Sequence, residues 1–254
     1  ERVKAVSRIF SYFRNPDKET VLTPWRVVNM HIGDCIGGYV FFDEAMETES
    51  VAPRFIDHGE VTDTVFEDRN TRILEINSKT GLYPLYMAYS VFAEKLKDYR
   101  DKHMLATDVP VDIQNQIWDN VLKDNIFVIC KTEMAKSITK RTLRGFRPAK
   151  VNARYFEDLI NKITNQSDMF IKKMHDGKNY WNNDELEEFM KFNAVVGNPP
   201  YQKVLEGTNR YNSLYHYFID IAKLLKPNYV SMITPSRWMT RGAQGISDRW
   251  IDDM

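Results

Sequence analysis

The sequence predicts an α/β protein built on a doubly wound, mostly parallel sheet. Three observations carry that prediction. Short apolar runs rich in β-branched residues recur along the chain: Arg72-Ile73-Leu74-Glu75-Ile76, Asn125-Ile126-Phe127-Val128-Ile129-Cys130, Phe192-Asn193-Ala194-Val195-Val196 and Tyr229-Val230-Ser231-Met232-Ile233. Such runs, cut off by turn residues, read as buried strands. Helical stretches separate them, and strand alternating with helix gives parallel strands joined by crossovers. The third observation is size: 254 residues with 43% hydrophobic and 13% aromatic content allow one large α/β domain with a full core.

Each element has its own signal. Residues 1–14 read as a helix that stops before Asn15-Pro16. A second helix over 20–34 would start with Thr23 as N-cap and Pro24 at the first helical position. Residues 36–71 are polar and irregular, with Gly37-Gly38, Pro53 and the acids Asp43, Glu44, Glu47 and Glu49, and read as loop or insertion. Helices are expected over 82–99 after Gly81, over 108–123 and over 133–143. A further strand is expected over 151–156. Residues 167–190 are polar and read as a surface excursion. Over 213–225, Leu214, Tyr217, Phe218, Ile221, Leu224 and Leu225 fall on one helical face. Residues 1–70 are thus expected to form an N-terminal helical and irregular segment, and 71–254 the core domain.

Composition narrows the class. The chain has 35 basic and 35 acidic side chains, for a formal net charge of +0. That lacks the basic footprint of a dedicated nucleic-acid domain, though not of a catalytic module gripped to DNA elsewhere. The cluster Lys136, Lys140, Arg141, Arg144, Arg147 and Lys150 reads as a solvated helix face. No apolar run approaches a membrane span and no secretory signal opens the chain. Cys35 and Cys130 have no metal-ligand spacing, which implies neither zinc nor a disulfide framework and makes a reduced cytoplasmic setting the default.

The most informative residues are Asn198-Pro199-Pro200-Tyr201, which follow Gly197 at the end of a predicted buried strand. Each Pro fixes its own φ and biases the preceding residue to an extended shape. Asn198 is therefore presented rigidly at the carboxyl end of a sheet, where open α/β sheets bind ligands. Its side-chain carbonyl and the Pro199 backbone carbonyl are two acceptors that can converge on one amino group. Tyr201 offers a flat face beside them. The arrangement suits a planar amino compound.

This tetrapeptide resembles the signature of methyltransferases that act on exocyclic or amide nitrogen. It is typical of adenine-N6 DNA methyltransferases, and also occurs in enzymes that methylate release-factor glutamine or ribosomal RNA adenine. Further segments fall in the order of the gamma class, closest to the methylase part of single-chain type II restriction-modification enzymes. Glu19 to Val28, with Thr23-Pro24, resembles the segment lying against the methionine end of S-adenosylmethionine. Ile73 to Gly81 sits where the family has its cofactor loop, with Glu75, Asn77 and Gly81 at loop positions; Lys79 stands where a small residue is usual. Lys79-Thr80 lacks the GxxxxGK[ST] of a phosphate loop. Ile126 to Ala135 resembles the second strand and its helix, with Cys130 at the place of the acid that holds the ribose hydroxyls. The resemblance makes Asp158 the acid that meets the cofactor's adenine. Cys130 has no activating partner in sequence and reads as a core thiol; His216 reads as packed or solvated. Pro235-Ser236-Arg237-Trp238 looks like a loop close to the substrate pocket.

What the resemblance implies is a Rossmann-like, S-adenosylmethionine-dependent enzyme. It would methylate the N6 amino group of an adenine flipped out of DNA, with Asn198, Pro199, Pro200 and Tyr201 as the catalytic loop. Lys79 and Cys130 lead to an expectation of weak cofactor binding. The family pattern continues beyond the last residue, so a fragment of a longer parent with further domains is expected. Two alternatives stay open: a methyltransferase of protein glutamine or RNA adenine, and a scaffold that has lost its cofactor.

Overall fold

The computed structural model describes residues 4–6, 8, 22–105, 107–184, 186–204 and 211–254. The predicted helix at residues 1–14 falls mostly outside these; residues 4–6 and 8 are helical.

At the centre lie five parallel strands: β3 (Ile73–Ser78), β4 (Ile126–Cys130), β5 (Asn152–Tyr155), β6 (Ala194–Gly197) and β9 (Tyr229–Met232). Their spatial order is β5-β4-β3-β6-β9. Ile73 pairs with Ile126 on one side and Ala194 on the other. Every residue of β3, β4 and β6 is buried, as expected of parallel strands covered on both faces. Their side chains alternate between two cores. Ile73, Ile126, Val128, Ala194 and Val196 face one, and Leu74, Ile76, Phe127, Ile129 and Val195 the other. Burying each such aliphatic side chain stabilises the fold by about 1.5–3 kcal/mol.

The first face carries α1 (Trp25–Cys35), α2 (Leu82–Lys102), α3 (Val111–Asp124) and α4 (Glu133–Arg144). Thr132 caps α4, its hydroxyl accepting from the Ala135 N–H at 3.1 Å, and Arg141 and Arg144 complement the helix dipole in the last turn. The second face carries α5 (Leu159–Asn165), α6 (Ser167–His175) and α7 (Tyr215–Leu224). A small antiparallel pair, β7 (Gln202–Val204) and β8 (Tyr211–Ser213), rises from the sheet edge. The chain's last helix is α8 (Asp248–Asp252).

Three expectations are corrected. Residues 36–71 are not a loop. They form the hairpin β1 (Gly38–Phe42) and β2 (Glu49–Ile56), then a short helical stretch ending in the π-turn Asp63–Glu67. The acidic cluster is only the hairpin's turn, where the Asp43 carboxylate accepts from the Glu47 and Thr48 N–H groups. Val40 and Phe42 enter the same core as Ile73, and Tyr39 packs on Phe55 across the hairpin at 5.0 Å. Residues 167–190 are not a surface excursion either. Phe170, Met174, Trp181, Leu186 and Met190 are buried in the second core, and the Trp181 indole donates to the Met174 carbonyl. In α7, Tyr217 and Leu224 are exposed while Tyr215, His216 and Ile219 are buried, so the inward face is rotated from the expected one. Among the described residues no helix is long and apolar enough to cross a membrane.

Candidate active site

The carboxyl ends of β3, β6 and β9 open into a cleft of about 870 Å³. Asn198, Pro199, Pro200 and Tyr201 form one wall, with Lys79 from the loop after β3, Tyr215 at the start of α7, and Pro235 and Arg237 after β9. A second cavity, about 450 Å³, lies between the β1–β2 hairpin, α2 and α3 and holds none of the predicted site residues.

The loop after β6 is pinned at both sides. The Gly197 carbonyl accepts from the Ile233 N–H at 3.1 Å, and the Tyr201 carbonyl from the Leu214 N–H at 3.0 Å. Asn198 is only 9% exposed. Its Nδ2 donates to the Thr23 hydroxyl at 2.9 Å, and its Oδ1 has no partner. A buried acceptor left unmet costs about 1–3 kcal/mol, so this oxygen is set for something the bare protein lacks. Burial pushes the half-buried Tyr201 phenol above its ordinary value, with the Asn198 side chain working against the shift.

That bond corrects the start of α1. Thr23 is not its N-cap; Pro24 occupies that position in an extended conformation (φ −61°, ψ 151°), with no side-chain cap, and the helix begins at Trp25. The Thr23 hydroxyl is committed to Asn198 instead.

The carboxyl-terminal half of β3 is equally under-satisfied. Glu75 and Asn77 are 6% and 4% exposed, and neither Glu75 Oε2 nor Asn77 Nδ2 has a partner. Burial pushes the Glu75 carboxyl up to about 8, with Ser78 and Lys79 pulling the other way. Asn77 adopts φ +74° at a break in the register between β3 and β4, after which Ser78 still pairs with Cys130. Gly81 has φ +77°, and a Cβ there would sit 3.0 Å from the Thr139 Cα. Its glycine is required by the approach of α4 as well as by the left-handed backbone.

Other predicted residues stand apart from this group. Cys130 is fully buried in the first core, its thiol donating to the Thr139 hydroxyl at 3.8 Å. Burial pushes that thiol up to about 12; it is a core sulfhydryl, as the sequence suggested. Asp158 is exposed at the N-cap of α5 with φ +53°. Neither lines the cleft, and nor do Thr23, Pro24, Glu75, Asn77 or Gly81, which lie behind or beside its wall. His216 is packed, 6% exposed.

Sequence reasoning missed one cluster at this edge. His31 on α1 places Nδ1 2.8 Å from the Tyr83 hydroxyl and Nε2 2.9 Å from Ser231 Oγ on β9. Burial lowers its pKa to about 4, so the ring is neutral, one nitrogen donating and the other accepting. Tyr83 in turn lies within electrostatic reach of Glu75 and Tyr201.

The orphaned polar atoms test the fit of S-adenosylmethionine. Its methionine end carries an ammonium, which donates, and a carboxylate, which accepts. Glu75 Oε2 and Asn77 Nδ2 are a buried acceptor and a buried donor, two residues apart toward the carboxyl end of β3, and they match that end. At the ribose end the thiol of Cys130 points into the core and supplies no acid.

A parallel sheet ordered β5-β4-β3-β6-β9, flanked by helices on both faces, with Asn-Pro-Pro-Tyr at the tip of β6, is a Rossmann-like methyltransferase fold. The chain belongs to the Eco57I restriction-modification methylase family, whose sequence profile matches residues 124–253. That span holds the Asn198 loop and Tyr215; Thr23, Glu75, Asn77 and Gly81 lie before it. The chain is also similar to an "Uncharacterized adenine-specific methylase" of Mycoplasma pneumoniae, 32% identical over 92 residues. The alignment covers 30% of this chain and 22% of that protein's length.

Proposed function

We propose that residues 71–254 are the catalytic core of an adenine-specific DNA methylase, and that residues 1–70 are an N-terminal segment that brings Thr23 and Pro24 to the cofactor. It would transfer a methyl group from S-adenosylmethionine to the N6 amino group of adenine. The observation that carries this reading is the buried, partnerless Oδ1 of Asn198 at a cleft walled by Pro199, Pro200 and Tyr201. The family match adds the restriction-modification setting.

The bound cofactor supplies an electrophilic methyl group on a sulfonium. Everything else falls to the chain. An adenine inside a duplex is out of reach, so it must be flipped into the cleft. Tyr201 stacks on it, worth about 1–3 kcal/mol for a base on an aromatic face. Asn198 Oδ1 and the Pro199 carbonyl accept the two amino hydrogens. This draws the nitrogen lone pair out of conjugation, and the fixed acceptors stabilise the positive charge that builds on nitrogen during attack. Glu75 and Asn77 hold the methionine end, with Thr23 and Pro24 beside it and Gly81 keeping the loop's backbone close. At the far end the reading leaves Cys130 in the core and gives Asp158 at most an outer contact with the cofactor's adenine. With net charge +0, the grip on duplex DNA is assigned to further domains of the parent chain, in the cytoplasm where a restriction-modification system acts.

The test is product identity. Incubation with labelled S-adenosylmethionine and duplex DNA, followed by nucleoside mass spectrometry, should yield N6-methyladenine. Label on protein glutamine, on RNA or on cytosine alone would reject the reading.

A further inference from the structure

The side-chain amide of an Asn can turn either face to a ligand, and only its oxygen accepts. An amino group brought against Asn198 with Nδ2 foremost would meet donor with donor. Methyl transfer by the reading above therefore needs the amide held in place with Oδ1 foremost. We propose that Thr23 is a positioning residue for it: its hydroxyl accepts from Asn198 Nδ2 at 2.9 Å and ties down that end of the side chain, with Oδ1 left for the substrate's amino group. The inference rests on the role proposed for Asn198.

Four observations support it. The bond is 2.9 Å long, between residues 175 positions apart in sequence, so it exists only in the folded site. Asn198 is buried, and its other amide atom is unmet. Thr23 precedes a proline, which confines its backbone to extended conformations, and Pro24 is in turn locked by its ring and by the Val28 N–H on its carbonyl. Helix α1 is then held to the same sheet edge two turns further along, where His31 bridges Tyr83 behind the β3 loop and Ser231 on β9. Ser231 is in register with Val196, just ahead of Asn198 on the neighbouring strand. Both ends of α1 are thus fixed against the strands that frame the cleft, and the Thr23 hydroxyl cannot drift from the amide it holds. The resemblance places this segment beside the cofactor's methionine end; the geometry points its hydroxyl at the catalytic amide.

The experiment compares the wild-type chain with Thr23→Val, which keeps the shape but removes the acceptor, and Thr23→Ser, which restores it. The first readout is the Asn198 side-chain amide in the nitrogen-15 NMR spectrum, assigned by its loss in Asn198→Ala. It should show one hydrogen-bonded, protected proton in wild type and Thr23→Ser and lose that feature in Thr23→Val. The second is turnover on an adenine-containing duplex, where Thr23→Val should lower kcat roughly tenfold, the usual scale of one hydrogen bond. The third is the affinity for S-adenosylmethionine by calorimetry, which should stay within about threefold of wild type. An unchanged Asn198 amide signal in Thr23→Val overturns the proposal. So does weakened cofactor binding with unchanged kcat, which would place Thr23 on the cofactor. If the wild type, assayed with the further domains of the parent chain in place, methylates no adenine, the reading of Asn198 fails, and the amide signal still decides whether Thr23 holds it.

Discussion

The proposed contact between Glu75 and the cofactor's ammonium predicts that cofactor binding is proton-linked. Its carboxyl is buried with one oxygen unpartnered and titrates near 8 rather than at its ordinary 4.5. At pH 7 only roughly a tenth of the ligand-free protein carries it ionised, and ionising the rest costs about 1.4 kcal/mol, with as much again for each pH unit below. A cationic ammonium against this oxygen favours the ionised form, so binding should drive the proton off. Calorimetry at pH 7 in two buffers of different ionisation enthalpy should therefore show close to one proton released per S-adenosylmethionine bound. Affinity should rise roughly tenfold per unit between about pH 6 and 7.5. Glu75→Gln should release no proton, bind more weakly and lose that slope. The ligand-free protein gives the opposite sign. A carboxyl whose folded pKa lies above its unfolded value contributes stability that is complete below 4.5 and lost as pH rises through about 8. Glu75→Gln should therefore raise Tm at pH 8 and leave it nearly unchanged at pH 4.5. Binding with no proton release and a flat pH dependence would show that Glu75 does not meet the ammonium.

Two substitutions probe the rest of the site. Tyr201→Phe should retain most activity because the stack needs a ring and not a hydroxyl, whereas Tyr201→Ala should weaken binding of the flipped base by roughly 1–3 kcal/mol; equal losses in steady-state assays would assign the chemistry to the phenol. Cys130→Asp would place a carboxylate against Thr139 in the apolar core, so it should lower stability by about 3 kcal/mol or more without tightening cofactor binding. Tighter binding at an unchanged Tm would show that this side chain reaches the ribose after all.

The parts of the fold legible in sequence were those with a one-dimensional signal. β3, β4 and β6 are buried on both faces, so they appear as unbroken apolar runs, and the loop after β6 announces itself by two prolines. The β1–β2 hairpin was hidden because its turn is acidic and its second strand, which contains Pro53, has no fully buried residue to mark it. The buried residues between 167 and 190 were hidden because Phe170, Met174, Trp181, Leu186 and Met190 are widely spaced among Lys, Asp and Asn, and the i,i+4 pair Phe170 and Met174 is too short a helical signal to stand out. The site divides the same way. Asn198, Glu75 and Asn77 were found from the ends of strands. The bridge from His31 to Tyr83 and Ser231 joins positions 52 and 200 residues apart, and no local pattern marks it. Thr23 was picked out by its Thr-Pro context, but its partner could be seen only once α1 was packed on the sheet.

The central claim is that Asn198 accepts the amino hydrogens during transfer. The most direct measurement is methyl transfer to adenine in duplex DNA by Asn198→Ala, with cofactor affinity measured on the same sample. The account predicts a fall in kcat of about a hundredfold or more, the scale of losing one preorganised group at a centre of developing charge, while S-adenosylmethionine binds as to wild type. Methylation at the wild-type rate by Asn198→Ala would contradict it.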